Sequence, residues 1–143
     1  MIIYKKGDLL KAPEMILVHS TNGQGKMASG IAKAIRAKYP EVYELYHQEH
    51  SNHGLFLGNN IPVLTHDGKY IIFNMITQQF YGHDGRQYCN YDAIRKCLKK
   101  VTNCVGNMPV GMPKISAGLA GGDWKIISQI IEEEIINPVV YEL

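Results

Sequence analysis

Two loops of small residues are the features of this 143-residue sequence best suited to chemistry. Segment 20–25 (Ser-Thr-Asn-Gly-Gln-Gly) follows the apolar run 15–18, and segment 116–122 (Ser-Ala-Gly-Leu-Ala-Gly-Gly) follows a predicted strand over 110–115. Small residues let a ligand approach the backbone, and free N–H groups at a following helix N-terminus attract anions. One such loop is equally explained as a tight turn without a ligand. Two in matching positions, at the carboxyl ends of strands, favour a site that clamps a diphosphate.

His19 stands between the apolar run 15–18 and the first loop. A polar residue at the end of a buried strand is either a hydrogen-bonded core histidine or a catalytic base. Position alone does not separate these two roles. No other residue near the loops is a comparable candidate for a general base.

Segment 23–28 (Gly-Gln-Gly-Lys-Met-Ala) matches two phosphate-binding motifs only in part. A P-loop needs Ser or Thr after its lysine and Gly at the position of Ser20, so that motif is absent. The loose Gly-x-Gly-x-x-Ala fingerprint of dinucleotide-binding proteins is present. Its acidic partner should end a second strand, whereas Glu41 follows a predicted helix and Pro40. An NAD-binding protein of Rossmann type is therefore a third, weaker hypothesis.

Two further clusters contain ligand-type residues without the pattern that chemistry requires. Segment 89–95 has the Cys and Arg spacing of a cysteine phosphatase loop, but it includes Asp92 and is typical of a helix start. That chemistry needs a glycine-rich electropositive cradle. His47, His50 and His53 recur every three residues, which does not converge on an ion, and no carboxylate or Cys completes a set. We interpret them as surface histidines and predict no metal.

Composition and charge exclude several classes of protein. The hydrophobic fraction of 45% is typical of a compact fold. The formal net charge of +2 is too small to indicate nucleic-acid binding. Cys89, Cys97 and Cys104 form no Cys-x-x-Cys pair, so free thiols in a reducing compartment are expected. No apolar stretch approaches the ~20 residues that span a bilayer, and the N-terminus lacks the order of a secretory signal. We expect a cytoplasmic protein with no nucleic-acid or membrane partner.

Strands and helices alternate along the chain. Asp67-Gly68 between two apolar runs predicts a hairpin in the middle. The pattern predicts a three-layer α/β/α sandwich around a central mixed β-sheet, in a single domain over residues 1–143. The predicted strands are 2–5, 15–18, 55–57, 61–64, 69–76, 110–115 and 139–141, and the predicted helices are 29–38, 42–50, 91–101 and 123–135.

With these loops, the chain resembles the macrodomain family, which binds ADP-ribose. The matching segments occur in the same order over the whole chain and resemble most the branch that contains ADP-ribose 1''-phosphate phosphatases. They are 7–9 (Gly-Asp-Leu), 16–22 (Ile-Leu-Val-His-Ser-Thr-Asn), 27–32 (Met-Ala-Ser-Gly-Ile-Ala), 112–124 (Met-Pro-Lys-Ile-Ser-Ala-Gly-Leu-Ala-Gly-Gly-Asp-Trp) and 139–143 (Val-Val-Tyr-Glu-Leu). The resemblance implies a monomeric macrodomain over 1–143 that takes a small ADP-ribose derivative.

The resemblance also implies a role for individual residues. Asp8 would accept a hydrogen bond from the adenine amino group, Asn22 would hold the distal ribose, and segments 29–31 and 116–120 would surround the diphosphate with N–H groups. His19 matches the histidine proposed as catalytic in the phosphatase branch. The ligand-binding residues implied in this way are Gly7, Asp8, Leu9, Ser20, Thr21, Asn22, Met27, Ala28, Ser29, Gly30, Ile31, Ala32, Ile115, Ser116, Ala117, Gly118, Leu119, Ala120 and Gly121.

The implied reaction is hydrolysis of ADP-ribose 1''-phosphate to ADP-ribose and phosphate, without a cofactor. A sister branch removes ADP-ribose from protein glutamates with a Lys and an Asp, and this chain has Gln78 and Ala120 at the corresponding positions. A lysyl intermediate is therefore not expected. The alternatives are a module that binds ADP-ribose without turnover, or a hydrolase of another adduct such as O-acetyl-ADP-ribose. The fold alone does not decide among them.

Overall fold

The computed structural model describes residues 1–27, 30–82 and 84–143, except for the side chain of Leu119. It contains six strands and four α-helices in these ranges, together with two short 3-10 helices, Leu9–Lys11 and Gly118–Ala120. The strands are β1 Ile3–Lys6, β2 Ile16–Asn22, β3 Asn60–Leu64, β4 Ile71–Gln78, β5 Val110–Met112 and β6 Pro138–Glu142. The α-helices are α1 Gly30–Lys38, α2 Pro40–Asn52, α3 Tyr91–Val105 and α4 Trp124–Glu134.

All six strands form one sheet in the order β1-β6-β5-β2-β4-β3. The neighbouring pairs β1·β6, β6·β5, β5·β2 and β2·β4 are parallel. β3 pairs antiparallel with β4, and the hairpin turn between these two strands contains Asp67-Gly68. The predicted mixed sheet and the predicted hairpin are thus confirmed. The parallel strands all end at one edge of the sheet, where the chain segments after β1, β2, β4 and β5 lie. This arrangement places both small-residue loops at the same edge.

Helices cover both faces of the sheet. The side chains of β2 alternate between the faces, as strand geometry requires. Ile16 and Val18 belong to the core beneath α3 and α4, whereas Leu17 belongs to the core beneath α1 and α2. Because both faces of β2 are buried, its first three residues, 16–18, form a continuous apolar run rather than an alternating pattern. The predicted three-layer sandwich is confirmed.

The predicted strand over 55–57 is wrong, because this segment is a connection between α2 and β3. Gly54 and Gly58 flank it with φ values of +82° and +87°, outside the extended conformation that a strand needs. Leu55 is buried and explains the apolar signal, but Phe56 is 61% exposed. The predicted strand over 110–115 is also shorter, since β5 ends at Met112 and Pro113 follows.

Within the described part of the chain, no helix is both long and apolar enough to cross a membrane. The longest, α3, has 15 residues and has buried side chains on only one face. Its Asn90 cap accepts a hydrogen bond from the backbone N–H of Ala93 at 2.9 Å, which fixes where α3 begins.

Candidate functional site

A cavity of about 350 Å³ opens at the carboxyl edge of the sheet, between the loop after β2 and the loop after β5. The first turn of α1 and the segment that leaves β4 complete its walls. The described residues that line it are Ser20, Thr21, Asn22, Lys26, Gly30, Ile31, Ala32, Gln78, Tyr81, Gly82, Pro113, Lys114, Ile115, Ser116, Ala117, Gly118 and Ala120.

Most of the predicted binding residues lie around this one cavity. Eleven of them line it: Ser20, Thr21, Asn22, Gly30, Ile31, Ala32, Ile115, Ser116, Ala117, Gly118 and Ala120. Gly7, Asp8, Leu9, Met27 and Gly121 do not line it. Ala28 and Ser29 lie outside the described residues, and so does the side chain of Leu119.

Asp8 and its neighbours lie at the same edge of the sheet but at a distance from the cavity. Asp8 follows β1, which β6 and β5 separate from β2. Three strand spacings are roughly 14 Å. The Asp8 carboxylate accepts a hydrogen bond from the backbone N–H of Leu10 at 2.9 Å and so caps the helix Leu9–Lys11. Leu9 and Met27 are buried in the core beneath α1 and α2.

The side chain of Asn22 organises the first loop. Its Oδ1 accepts hydrogen bonds from the backbone N–H groups of Gln24 at 3.0 Å and Lys26 at 3.3 Å, and its Nδ2 donates to the carbonyl of Lys26 at 2.9 Å. The buried hydroxyl of Tyr46 donates to the carbonyl of Asn22 at 2.5 Å and to its Oδ1 at 3.2 Å. Burial raises the pKa of Tyr46 to about 12, so this phenol stays protonated as a donor. Asn22 thus fixes the wall of the cavity from within.

His19 is completely buried and is not part of the cavity lining. Its side chain projects from β2 to the α2 side, on the opposite face from Ser20. The ring Nε2 lies 2.6 Å from Oδ1 of Asn74, whose Nδ2 donates to the carbonyl of Val42 at 3.3 Å. Since Oδ1 can only accept, Nε2 carries the hydrogen. The structure therefore favours the hydrogen-bonded core histidine over the catalytic base.

Burial also controls the protonation of His19. It lowers the pKa of the ring to about 4, against the raising effect of the hydrogen bond to Asn74. The other ring nitrogen, Nδ1, is buried without a hydrogen-bond partner among the described residues, so a proton added there would find no acceptor. His19 is consequently neutral at pH 7.

The second loop has a strained backbone next to a hydroxyl pair. Ser116 has φ +58°, the only positive value at a non-glycine position among the described residues, and its side chain is buried. Its hydroxyl lies 2.7 Å from that of Ser20. Strained backbone of this kind is typical of ligand-binding positions. The backbone N–H of Gly122 donates to the carbonyl of Ser116 at 2.9 Å and closes the loop.

The segment after β4 holds the second loop in place. The backbone N–H groups of Tyr88 and Cys89 both donate to the carbonyl of Ala120, at 2.7 and 3.1 Å. Gly121 has φ +72°, and a Cβ on it would overlap the backbone carbonyl of Arg86. Only glycine satisfies both the left-handed conformation and this close backbone approach.

We expect Gly121→Ala to lower the free energy of unfolding by about 2–4 kcal/mol, because the new methyl group meets backbone that cannot rotate away. Gly106→Ala is the matched control, since Gly106 has φ +62° and a Cβ added there would meet no atom within 4 Å. Urea denaturation of both variants measures the difference. Equal losses in the two variants would show that the overlap with Arg86 contributes nothing.

The electrostatic character of the cavity comes from residues that the loop motifs did not indicate. Lys26, Gln78, Tyr81, Gly82, Pro113 and Lys114 line it as well. No carboxylate and no imidazole occurs among its described lining residues, so its charged side chains are two lysines. Lys114 lies 3.3 Å from Glu142 and 5.6 Å from the centre of the Trp124 ring. Lys26 directly follows the first loop, and this adjacency was an available signal. Tyr81 and Gly82 lie in an irregular segment with no recognisable pattern.

Among the described residues, no three His, Cys, Asp or Glu side chains are close enough together to hold a metal ion. Two of the three spaced histidines lie against other rings: His47 stacks on Tyr43 at 5.3 Å and is 6.2 Å from His50. Cys89 is buried on the α3 side of the sheet, and burial raises the pKa of its thiol, the opposite of what a phosphatase nucleophile needs.

Comparison with known proteins agrees with this architecture. The family model "Macro domain" matches residues 18–131, and the chain therefore belongs to the macrodomain family. ADP-ribose glycohydrolase OARD1 of Bos taurus is 33% identical over 136 residues, covering 92% of this chain and 82% of the relative. ADP-ribose 1''-phosphate phosphatase of Candida albicans is 29% identical and covers 93% of each chain. A Bacteroides thetaiotaomicron protein of unknown function superposes with a TM-score of 0.87 at 33% identity, over 100% of this chain and 98% of the other.

Proposed function

We propose that the cavity between the two small-residue loops binds ADP-ribose. The observation that carries the proposal is the chemistry of the lining, which combines small residues and two lysines with no carboxylate among the described residues. A diphosphate needs N–H donors and positive charge at close range, and a carboxylate would repel it. The relatives from Bos taurus and Candida albicans act on ADP-ribose derivatives according to their names, which agrees with this chemistry.

The sheet order supports an orientation for the ligand. The diphosphate lies between segment 116–120 and the start of α1 at Gly30 and Ile31. The adenine extends over β5 and β6 toward Asp8, and the distal ribose lies beside Asn22 and the end of β4. β1 and β2 are roughly 14 Å apart, and ADP-ribose in an extended conformation spans this distance.

Titration calorimetry with ADP-ribose tests the proposal directly. We expect Lys26→Glu to weaken binding about tenfold or more, since about 1.4 kcal/mol is a modest cost for reversing a charge beside a diphosphate. Lys33→Glu is the matched control: it makes the same change of net charge on an exposed position of α1 outside the cavity. Absence of ADP-ribose binding by the parent protein would overturn the proposal. Equal weakening by both variants would show that only overall charge matters.

As a second function, we propose hydrolysis of ADP-ribose 1''-phosphate to ADP-ribose and phosphate. Its additional phosphate suits a cavity whose described charged lining residues are all lysines, and one relative of full-length similarity is named for this activity. Gln78 ends β4 and lines the cavity, and its Nε2 donates to the carbonyl of Phe80 at 2.7 Å. A carboxamide is not a nucleophile, so Gln78 forms no covalent intermediate, and in this proposal water attacks the phosphorus directly. Backbone N–H groups of the second loop would stabilise the charge that develops on the phosphoryl oxygens.

In this mechanism His19 supports the wall of the cavity rather than exchanging a proton with substrate. We expect phosphate release by the parent protein to survive in His19→Gln, because the glutamine amide replaces the Nε2–H donor to Asn74. Loss of phosphate release in His19→Gln with unchanged ADP-ribose affinity and folding would restore His19 as the base. No phosphate release by a parent protein that binds ADP-ribose would leave a binding module or a hydrolase of another adduct.

A further inference from the structure

A chain of three hydroxyl groups runs from the sheet to the cavity wall. The Oγ1 of Thr77 lies 3.4 Å from the carbonyl oxygen of Thr21, the Oγ of Ser116 lies 3.4 Å from the Oγ1 of Thr77, and the Oγ of Ser20 lies 2.7 Å from that of Ser116. Thr77 is completely buried and does not line the cavity, whereas Ser20 and Ser116 do. This series of hydroxyl groups thus begins in the core and ends at the cavity.

The carbonyl at the inner end sets the direction of the hydrogens. A carbonyl oxygen only accepts, so Thr77 donates its hydrogen to Thr21 and is left to accept from Ser116. Ser116 then has only lone pairs for Ser20, and the hydrogen of Ser20 points toward Ser116. Ser20 is consequently left with lone pairs on the side that faces the cavity.

The backbone at Ser116 is strained, and this strain accompanies the position of the Ser116 hydroxyl. A non-glycine residue in the left-handed region carries strain of about 1 kcal/mol or more, and glycine would occupy the same backbone without it. The left-handed φ of +58° turns the Ser116 side chain into the narrow space between Ser20 and Thr77. A glycine would leave Ser20 without this partner.

We infer that Ser116 and Thr77 act through Ser20 as specificity-determining residues, so that the cavity accepts a ligand hydroxyl at Ser20 and disfavours a phosphate oxygen there. This inference rests on the proposed binding of ADP-ribose. The hydroxyl that matches is one of the distal ribose, because Ser20 stands beside Asn22 on the β2 side of the cavity. Ser20 touches the ligand, whereas Ser116 and Thr77 are positioning residues.

The experiment compares the affinities for ADP-ribose and for ADP, which lacks the distal ribose and ends in a phosphate. In Ser116→Ala, and in Thr77→Val, the hydrogen of Ser20 becomes free to turn toward the cavity. We expect ADP to bind two- to tenfold tighter in both variants, as one hydrogen bond gained predicts. In Thr77→Val, whose residue does not line the cavity, we expect the ADP-ribose affinity to stay within about twofold. In Ser20→Ala we expect ADP-ribose to bind two- to tenfold more weakly while ADP is unchanged.

Thr77→Val is the decisive variant, because its side chain has nearly the same shape and does not reach the cavity. A purely steric role of these residues predicts no change of the affinity ratio in this variant. Ser116→Gly separates strain from hydrogen bonding: it should show the same ratio as Ser116→Ala with higher thermal stability. Ser128→Ala, on α4 and outside the cavity, is the control.

The inference is overturned if the ratio of the ADP and ADP-ribose affinities stays at the parent value in both Ser116→Ala and Thr77→Val. That result leaves the proposed function intact. Absence of ADP-ribose binding by the parent overturns both. If Thr77→Val fails to fold, the ratio in Ser116→Gly decides in its place, since that change relieves strain.

Discussion

The parent protein is expected to lose about 3 kcal/mol of unfolding free energy as the pH falls from 6.5 to 4, and His19→Gln is expected to lose much less. Burial lowers the pKa of His19 from 6.5 to about 4 in the folded state. Stability from this residue is therefore complete above pH 6.5 and disappears as the unfolded chain, and later the folded chain, takes up the proton. Glutamine keeps a donor at the position of Nε2 and does not titrate in this range.

Urea denaturation at several pH values between 7 and 4 measures this effect. His53→Gln is the matched control, because it removes an exposed histidine next to Glu49 and leaves the core unchanged. Glu41 and Asp67 also have lowered pKa values, but carboxylates of this kind lose their contribution below about pH 4.5, and they remain in every variant. Parallel pH profiles for the parent and His19→Gln would show that another group titrates.

The position of His19 illustrates what the sequence could and could not predict. The apolar run before it correctly indicates a buried strand, but the prediction that residues 20–22 belong to a loop is wrong, because β2 continues to Asn22. Ser20, Thr21 and Asn22 nevertheless line the cavity. Which side of the sheet the ring faces depends on the register of β2 against β4, which places His19 beside Asn74, a residue 55 positions away in the chain. A hydrogen bond over that distance has no local signal. The catalytic interpretation rests on adjacency along the chain, whereas residues 19 and 20 of a strand point to opposite faces.

In the second loop, too, the sequence predicts the site but not which residues face it. Its small residues and its place after β5 are sufficient to predict a wall of the binding site. The lining residues Tyr81 and Gly82 come from the segment between β4 and α3, which meets the loop only because β4 is a parallel neighbour of β2. The family resemblance implies that Gly121 binds ligand, yet its lack of a side chain serves the close approach of Arg86. Composition identifies the loop, and tertiary packing decides which of its residues face the cavity.

The first loop leads to the second large expected effect. We expect Asn22→Ala to weaken ADP-ribose binding at least tenfold and to lower the unfolding free energy by about 2 kcal/mol. The amide of Asn22 makes hydrogen bonds to three backbone groups of residues 24 and 26, and the side chain of alanine cannot replace them. Residues 23–26, which include Lys26, then lose their fixed shape.

Asn22→Asp separates the shape of this loop from its electrostatics. A carboxylate still accepts from the N–H groups of Gln24 and Lys26 and from Tyr46. We therefore expect a loss of unfolding free energy of about 1 kcal/mol, from the single hydrogen bond that it cannot make, which is smaller than in Asn22→Ala. It adds a negative charge to the lining of an anion site and faces the carbonyl of Lys26 without a donor. ADP-ribose affinity should therefore fall at least as far as in Asn22→Ala, and the loss should shrink at high salt. Asn52→Ala, at the exposed end of α2, is the control for both variants. Parent-like ADP-ribose affinity of Asn22→Asp in calorimetry would contradict the proposed binding beside Asn22, because a buried carboxylate in the wall of an anion site must change the affinity.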